Sequence, residues 1–502
     1  MTPALRRTAV LTALTACAAV LPPAAHPAAA PTTTGATTTG GIAFGPCPAS
    51  VPTPAPPDRV ECGTLRVPLD HRRPHGRHLD IAVSRVPASG TPAERRGILL
   101  VNPGGPGGAG LSYAVTKRAK LPERVRRGYD VIGFDPRGTG RSAPADCGPM
   151  GGLFAADAPG ADPVPRGPAA ERAHLAALRR MAADCAAGVG KALPHLSTRE
   201  TAHDMEAIRT ALGEPKLSFL GVSYGSYLGA AYAARYPHRT GRMVLDSVVG
   251  PEDWYDFDLR QARALLAQRT RLFGWLARHH DRFGLGDTAA EVRAGYARVR
   301  AELTARPVDG FGAAAFDRAV YRTLGRTERW APFGEGLRGY LREGTVAGLR
   351  PGVPFDGPDS RTYEAANRTV KCADGPGPKA SRLLPELRRL RRLDPLPVVT
   401  GLEADVCAYW PHRPAARTRL GGPNVPPVLL VASEHDPVTP VAGAHRLRRA
   451  LPGSRLVTLY DDYSHGVFAS RGDACVDGTV AAYLVDGSVP ARDVRCAGAG
   501  LP

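Results

Sequence analysis

KLSFLGVSYGSYLGAAYAARYP, residues 216–237, changes from one kind of backbone to another within a single turn. Lys216 to Val222 is an apolar run of strand length. Tyr224 to Tyr236 carries the small residues Gly225, Gly229 and Ala230 along one side and stops at Pro237, which reads as a closely packed helix. The junction, Gly221-Val222-Ser223-Tyr224-Gly225, has the G-x-S-x-G spacing of a sharp strand-to-helix turn. Such a turn lifts the Ser223 hydroxyl to the end of the sheet, and the helix start adds free N–H groups and a partial positive charge beside it. An ordinary Gly-rich turn shows the same spacing by chance in a chain with 57 glycines, so the flanking sequence must decide.

Upstream, ECGTLRVPLD and HLDIAVSRVPA alternate in polarity around HRRPHGR and predict an antiparallel hairpin at a sheet edge. Gly97 to Val101 is continuously apolar, as a buried parallel strand is. It empties into Asn102-Pro103-Gly104-Gly105-Pro106-Gly107-Gly108-Ala109-Gly110. There Gly105, Gly107 and Gly110 fit a dinucleotide fingerprint, with Asp135 at 25 residues beyond Gly110. Pro106 inside the turn, the distance of the loop from the start of the fold and the scarcity of nicotinamide cofactors outside cells weigh against a dehydrogenase. The competing use of the loop is to lend a backbone N–H, that of Gly105, to an oxyanion hole.

Tyr129 to Phe134 predicts the next strand, leading into DPRGTGRS, where Arg137 reads as a donor that locks the loop. Residues 143–198 form an excursion, Thr201 to Leu212 an amphipathic helix and Arg242 to Asp246 a further core strand. From about Pro251 to Pro423 the periodicity is helical. Strand patterns return at Pro427 to Val431 and Arg455 to Tyr460, followed by a last helix from Val476 to Leu484. The class is α/β, a mostly parallel sheet with an inserted helical cap. The expected layout is a signal peptide over 1–30, a flexible leader over 31–58, the first part of the core over 59–250, the cap over 251–423 and the rest of the core over 424–502.

The 502 residues are 43% hydrophobic and carry a formal charge of +18, mostly from scattered arginines. Solvated faces explain that scatter better than a nucleic-acid surface does. Arg6 and Arg7 followed by the apolar run Thr8 to Val20 and an Ala-rich region predict a secretion signal too short to span a bilayer. Leu14-Thr15-Ala16-Cys17 offers a competing reading as a lipid anchor at Cys17. No later run is long enough for a membrane span. Setting Cys17 aside leaves an even set, Cys47, Cys62, Cys147, Cys185, Cys372, Cys407, Cys475 and Cys496. An exported disulfide framework is expected, with sequential pairing the simplest of many connectivities. Their spacing fits no zinc site.

A serine hydroxyl needs a general base oriented by an acid. Asp436, in Ser433-Glu434-His435-Asp436-Pro437, follows a later strand, in PVLLVAS, and Pro437 fixes a turn that presents it in preference to Glu434. His465, in Asp462-Tyr463-Ser464-His465-Gly466, lies 29 residues beyond Asp436 in the loop after the last expected strand. His445 falls within a predicted helix, and His435 is too close to the acid to fold back on it. The expected mechanism has Ser223 as nucleophile, His465 as base, Asp436 as orienting acid, and the N–H groups of Gly105 and Tyr224 as the oxyanion hole, with no metal or cofactor.

NPGGPGG, FDPRGTGRS, GVSYGSYLG, DPVTP and SHG, with the Cys475/Cys496 ending, resemble the secreted actinobacterial tripeptidyl aminopeptidases, α/β hydrolases related to prolyl aminopeptidases. The resemblance runs from about residue 45 to the C-terminus and is weakest over the cap. It implies the α/β-hydrolase fold, with Ser223, Asp436 and His465 on the family's triad positions. Pro103 stands where the prolyl enzymes' HGGPG loop carries His, a departure without effect on backbone donors. The resemblance further implies peptide substrates with a free N-terminus, whose amine is held by carboxylates of the cap. Glu252, Asp253, Asp256, Glu328, Glu335 and Asp374 are candidates for that role. The expected function is a secreted serine exopeptidase releasing tripeptides or proline. A secreted carboxylesterase and a non-catalytic hydrolase-like binding protein are the alternatives.

Overall fold

The computed structural model describes residues 41–55, 58–148, 160, 162–350, 358–393, 402–412 and 416–502. The expected signal peptide and Cys17 lie outside the described residues. The expected flexible leader needs correction where it is described. Gly45 pairs with Cys62, Cys47 is bonded to Cys62, and the side chains of Ile42 and Val51 are buried, so this part is stapled to the fold. Apolar residues and a cysteine inside a Pro- and Thr-rich stretch were the signal for it.

Among the described residues the sheet has nine strands, β1 (Glu61–Pro68), β2 (His78–Val86), β3 (Gly97–Asn102), β4 (Tyr129–Phe134), β5 (Leu217–Val222), β6 (Thr240–Asp246), β7 (Leu429–Ser433), β8 (Arg455–Tyr460) and β9 (Val494–Ala497). Their order is β1-β2-β4-β3-β5-β6-β7-β8-β9. β1 and β2 form the expected hairpin and β2 joins β4 antiparallel, while all other pairings are parallel. Every residue of β3 and β4 is buried, as unbroken apolar runs require when helices cover both faces. β9 is a strand the sequence reading did not expect; short and half-exposed, it carries no apolar run.

The helix Tyr224–Arg235 lies so close to the sheet that a Cβ on Gly221 would stand 2.2 Å from the Gly225 carbonyl oxygen. The spacing of glycines around Ser223 is therefore a packing requirement. The helix expected from Thr201 begins earlier, at Thr198, because the Ser197 side chain accepts from Glu200 N–H and caps it.

Between β6 and β7 the described residues hold the helices Trp254–Arg278, Ala289–Ala305, Ala313–Leu324, Trp330–Glu343, Pro358–Ala373 and Ala380–Leu393. Several of these enclose a second apolar core with Leu272, Phe316, Trp330 and Leu337 at its centre. Four disulfides join the cysteines in chain order, Cys47–Cys62, Cys147–Cys185, Cys372–Cys407 and Cys475–Cys496. No helix among the described residues is long and apolar enough to cross a membrane.

The register aligns the carboxyl ends of the central strands: Asn102 with Gly221, Val222 with Asp246, Asp246 with Val431, and Ser433 with Leu459. Ligand sites of open α/β sheets form at that edge.

Candidate active site

Ser223 occupies a backbone conformation rare for a residue with a side chain, φ 61° and ψ −126°. Its N–H donates to the Asp246 carbonyl at 2.9 Å, and its own carbonyl accepts from Ser226 N at 2.8 Å and Ser226 Oγ at 2.6 Å. Such strain persists only when its surroundings fix it, and it gathers at functional positions. The loop after β3 lies directly on this turn. Gly104 has φ +91°, and a Cβ there would sit 2.4 Å from the Val222 carbonyl oxygen and 2.9 Å from Ser223 Cβ. The Gly104 N–H donates to Asn102 Oδ1 at 2.9 Å. Gly105 comes next, with the Tyr363 ring 3.2 Å from where its Cβ would be, and Tyr224 begins the helix on the other side of the serine.

Asp436 is buried in the turn after β7. One carboxylate oxygen accepts from Val438 N at 2.8 Å and Thr439 N at 2.9 Å; the other accepts from Thr439 Oγ1 at 2.8 Å and meets His465 Nδ1 at 2.8 Å. The acceptor-only carboxylate puts the proton on Nδ1 and leaves Nε2 as the exchanging nitrogen. The loop carrying His465 is pinned to the end of β6: Gly466 N donates to Ser247 Oγ at 2.8 Å, and Val467 N and Phe468 N both donate to the Asp246 carboxylate. A Cβ on Gly466 would lie 3.8 Å from Val222 Cγ1, so this loop abuts the strand that delivers Ser223. Burial pushes the Asp246 carboxyl above its usual range, with Lys117 and these N–H groups opposing. Sequence reasoning passed over Asp246, although a carboxylate closing an apolar strand beside the elbow strand was its signal.

The other expectations sort by their partners. Glu434 accepts from Asp461 N at 2.9 Å, and His435 stacks on Tyr463. His445 is exposed on the helix Ala442–Ala450. Asp135, the acid a dinucleotide site would use, instead accepts Gly110 N, Leu111 N and Arg141 N inside the fold. Arg137 does lock its loop: fully buried, it donates to Asp204, to Leu69 and to the carbonyls of Pro68 and His195.

Of the acidic residues expected on a cap, Glu252 pairs with Arg446, Asp253 caps a helix and pairs with Arg417, Asp256 pairs with Arg382, Glu328 with Arg471 and Glu335 with Arg282. Asp374 is buried, accepts from Thr198 N, Thr198 Oγ1 and Trp254 Nε1, and is pushed up to about 6 by burial. Thr198 Oγ1 also meets the Tyr224 hydroxyl at 2.7 Å.

Two carboxylates that sequence reasoning missed lie near Tyr363, which borders the glycine loop. Glu364 follows Tyr363 on the helix Pro358–Ala373, and Glu403 meets Lys371 Nζ of the same helix at 2.5 Å. Both act on the Tyr363 hydroxyl, which burial and these two charges push far up. Burial raises Glu364; for Glu403 the nearby Lys371 and Arg368 outweigh burial and hold it low. For Glu364 the signal was available: Glu364, Arg368 and Lys371 recur at helical spacing along one face of the helix.

A family model described as the alpha/beta hydrolase fold matches residues 97–471. The chain is 37% identical over 480 residues to the tripeptidyl aminopeptidase of Streptomyces coelicolor, covering 92% of this chain and 87% of that protein. It is 30% identical over 485 residues to the serine protease Hip1 of Mycobacterium tuberculosis, covering 91% of each. It is also 30% identical over 461 residues to carboxylesterase B of Mycobacterium tuberculosis, covering 87% of this chain and 86% of that protein. With the elbow, the parallel sheet and a match over most of its length, the chain belongs to the α/β hydrolase fold family and, within it, to the group of the tripeptidyl aminopeptidases.

Proposed function

We propose that the protein is an exported serine exopeptidase that removes short peptides from free N-termini through an acyl-enzyme. Ser223 attacks the scissile carbonyl while His465 Nε2 takes its proton, and Asp436 steadies the resulting imidazolium. The N–H groups of Gly105 and Tyr224 receive the oxyanion, Gly104 N–H being taken by Asn102. His465 then protonates the leaving amine, and water attacking along the same route frees the acyl group. The helices between β6 and β7 form the cap of the site over about 251–423, and the four disulfides fit an oxidising compartment.

The observation that carries the exopeptidase reading is the placement of Glu403 and Glu364 behind Tyr363, whose ring touches the glycine loop. Arg368 pairs with Glu364, and Lys371 is shared between Glu403 and Asp258, so three carboxylates stand against two cations in this cluster, and a substrate ammonium group is the charge that would complete the set. The names of the Streptomyces and Hip1 relatives support a serine peptidase. The carboxylesterase relative supports a second reading in which the same nucleophile cleaves esters.

The test is release of aminomethylcoumarin from Ala-Pro-Ala, free and N-acetylated, beside a short-chain nitrophenyl ester. Cleavage of the free-amine peptide alone, abolished in Ser223→Ala and weakened through KM in Glu403→Gln, is the expected result. Ester hydrolysis without peptide cleavage overturns the peptidase reading in favour of the esterase.

A further inference from the structure

The helix Trp254–Arg278, which opens the insertion, sends two glutamine side chains into the loops carrying Asp436 and His465. Gln261 and Gln268 are seven residues apart and so share one helix face. Gln261 Nε2 donates to the Val438 carbonyl at 2.8 Å; Val438 in turn donates its N–H to Asp436 Oδ1. Gln268 is fully buried, and its Nε2 donates to the carbonyls of Tyr463 at 2.9 Å and Leu324 at 3.3 Å. Gln268 Oε1 is buried with no hydrogen-bond partner among the described residues. Turning the amide over would set that oxygen against two carbonyl oxygens, so the two acceptors alone fix its orientation.

Leu324 ends the helix Ala313–Leu324, and the residues just after it complete the attachment. The Gly325 carbonyl accepts from His465 N at 3.1 Å, and Thr327 Oγ1 meets Ser464 Oγ at 3.4 Å. Tyr463, Ser464 and His465 are thus each hydrogen-bonded to the insertion. A Cβ on Gly325 would stand 3.3 Å from Val438 Cγ2 and 4.0 Å from His465 Cβ, so one residue of the insertion packs on both loops.

We infer that the insertion braces the acid–base pair, and that Gln261 and Gln268 are positioning residues for Asp436 and His465 rather than parts of the substrate pocket. The inference rests on the reading of Ser223, His465 and Asp436 as the triad. A buried amide bridging the base loop to the insertion is costly to remove, since it strands two carbonyls in the interior. A displacement of the imidazole by about 1 Å costs roughly a hundredfold in rate.

The test replaces each amide by a side chain of similar length, Gln268→Met and Gln261→Met. It measures kcat and KM on the free peptide and on the nitrophenyl ester, and the rate at which diisopropyl fluorophosphate phosphorylates Ser223 with loss of fluoride. The reagent is small and reads the serine–histidine chemistry without the peptide pocket. For Gln268→Met the expected result is a fall of roughly 10–100-fold in phosphorylation rate and in kcat on both substrates, with KM within about twofold. Gln261→Met, nearer the surface of the same contact, is expected to show a smaller loss of the same kind, and it decides the matter if Gln268→Met does not fold. Wild-type phosphorylation rates in the folded variants, or a raised KM at constant kcat, overturn the brace while the triad reading stands. A wild-type protein that reacts at a residue other than Ser223 overturns the triad reading and the brace with it.

Discussion

The carboxyl edge of the sheet and the helical insertion both hold carboxylates inside protein, and they do it by different means. At the sheet edge the partners are mainly backbone amides: Val438 and Thr439 on Asp436, Val467 and Phe468 on Asp246, Gly110 and Leu111 on Asp135. In the insertion the partners are mostly charged side chains: Lys371 on Asp258 and Glu403, Arg368 on Glu364, Arg300 on Asp317. A carboxylate caged by backbone amides, from its own turn as at Asp436 or from a distant loop as at Asp246, has a geometry as stiff as the backbone that holds it. One held by a long cation depends on a partner that a single substitution removes. The first arrangement suits chemistry that must not move; the second suits a pocket whose selectivity is adjustable.

Asp436→Asn tests the stiff side of that contrast hardest. It keeps the size of the group but lets an amide face His465, and kcat is expected to fall by roughly 10⁴ with the protein still folded. A loss below tenfold would mean that the cage around Asp436 does not orient the histidine.

Gly104→Ala is the next largest expected effect. The added methyl would press on the Val222 carbonyl and Ser223, so the loop must shift and take Gly105 N–H with it. The expected loss in kcat is roughly 10²–10³, with KM little changed. Steady-state kinetics on the ester check it.

For the insertion, replacing Cys372 and Cys407 together by serine opens a bridge spanning 35 residues beside Lys371 and Glu403. Chain entropy puts the loss of stability at about 4 kcal/mol, read by denaturant unfolding. Ester hydrolysis is expected to persist at 25 °C while KM for the free-amine peptide rises. Equal losses on both substrates would erase the distinction between the two regions.

The smallest expected effect concerns Asp374, a buried insertion carboxylate with neutral donors only. Its folded pKa of about 6 lies above the unfolded value of 3.8. Between those values the folded protein keeps a proton that the unfolded chain gives up, so stability falls as pH rises through roughly 4–6, by about 3 kcal/mol at most from this group. Unfolding free energies across that window are expected to slope less in Asp374→Asn.

The same contrast explains what could be read in advance. The elbow around Ser223, the turn at Asp436 and the loop at His465 are specified by neighbours in sequence: glycines at fixed offsets, a proline, apolar strands running into them. The strands that carry them were legible for the same reason. Asp246 was not, because its partners, Val467 and Phe468, come more than two hundred residues later. Glu364 and Glu403 were missed because a glutamate on a helix or in a turn looks solvated until the fold brings Tyr363 beside it.

The order of the disulfides has a consequence for how the chain acquires them. Cys47 joins Cys62, Cys147 joins Cys185, Cys372 joins Cys407 and Cys475 joins Cys496, with no bridge enclosing the cysteine of another. Any chain delivered N-terminus first presents each of these thiols with its correct partner before the following pair arrives. Oxidation can then keep step with delivery, and thiol exchange has no misplaced bond to undo. Of the helper activities such a chain calls on, a simple thiol oxidant suffices for vectorial delivery. A disulfide isomerase becomes necessary only when all eight thiols are released together, as on refolding from the reduced, unfolded state.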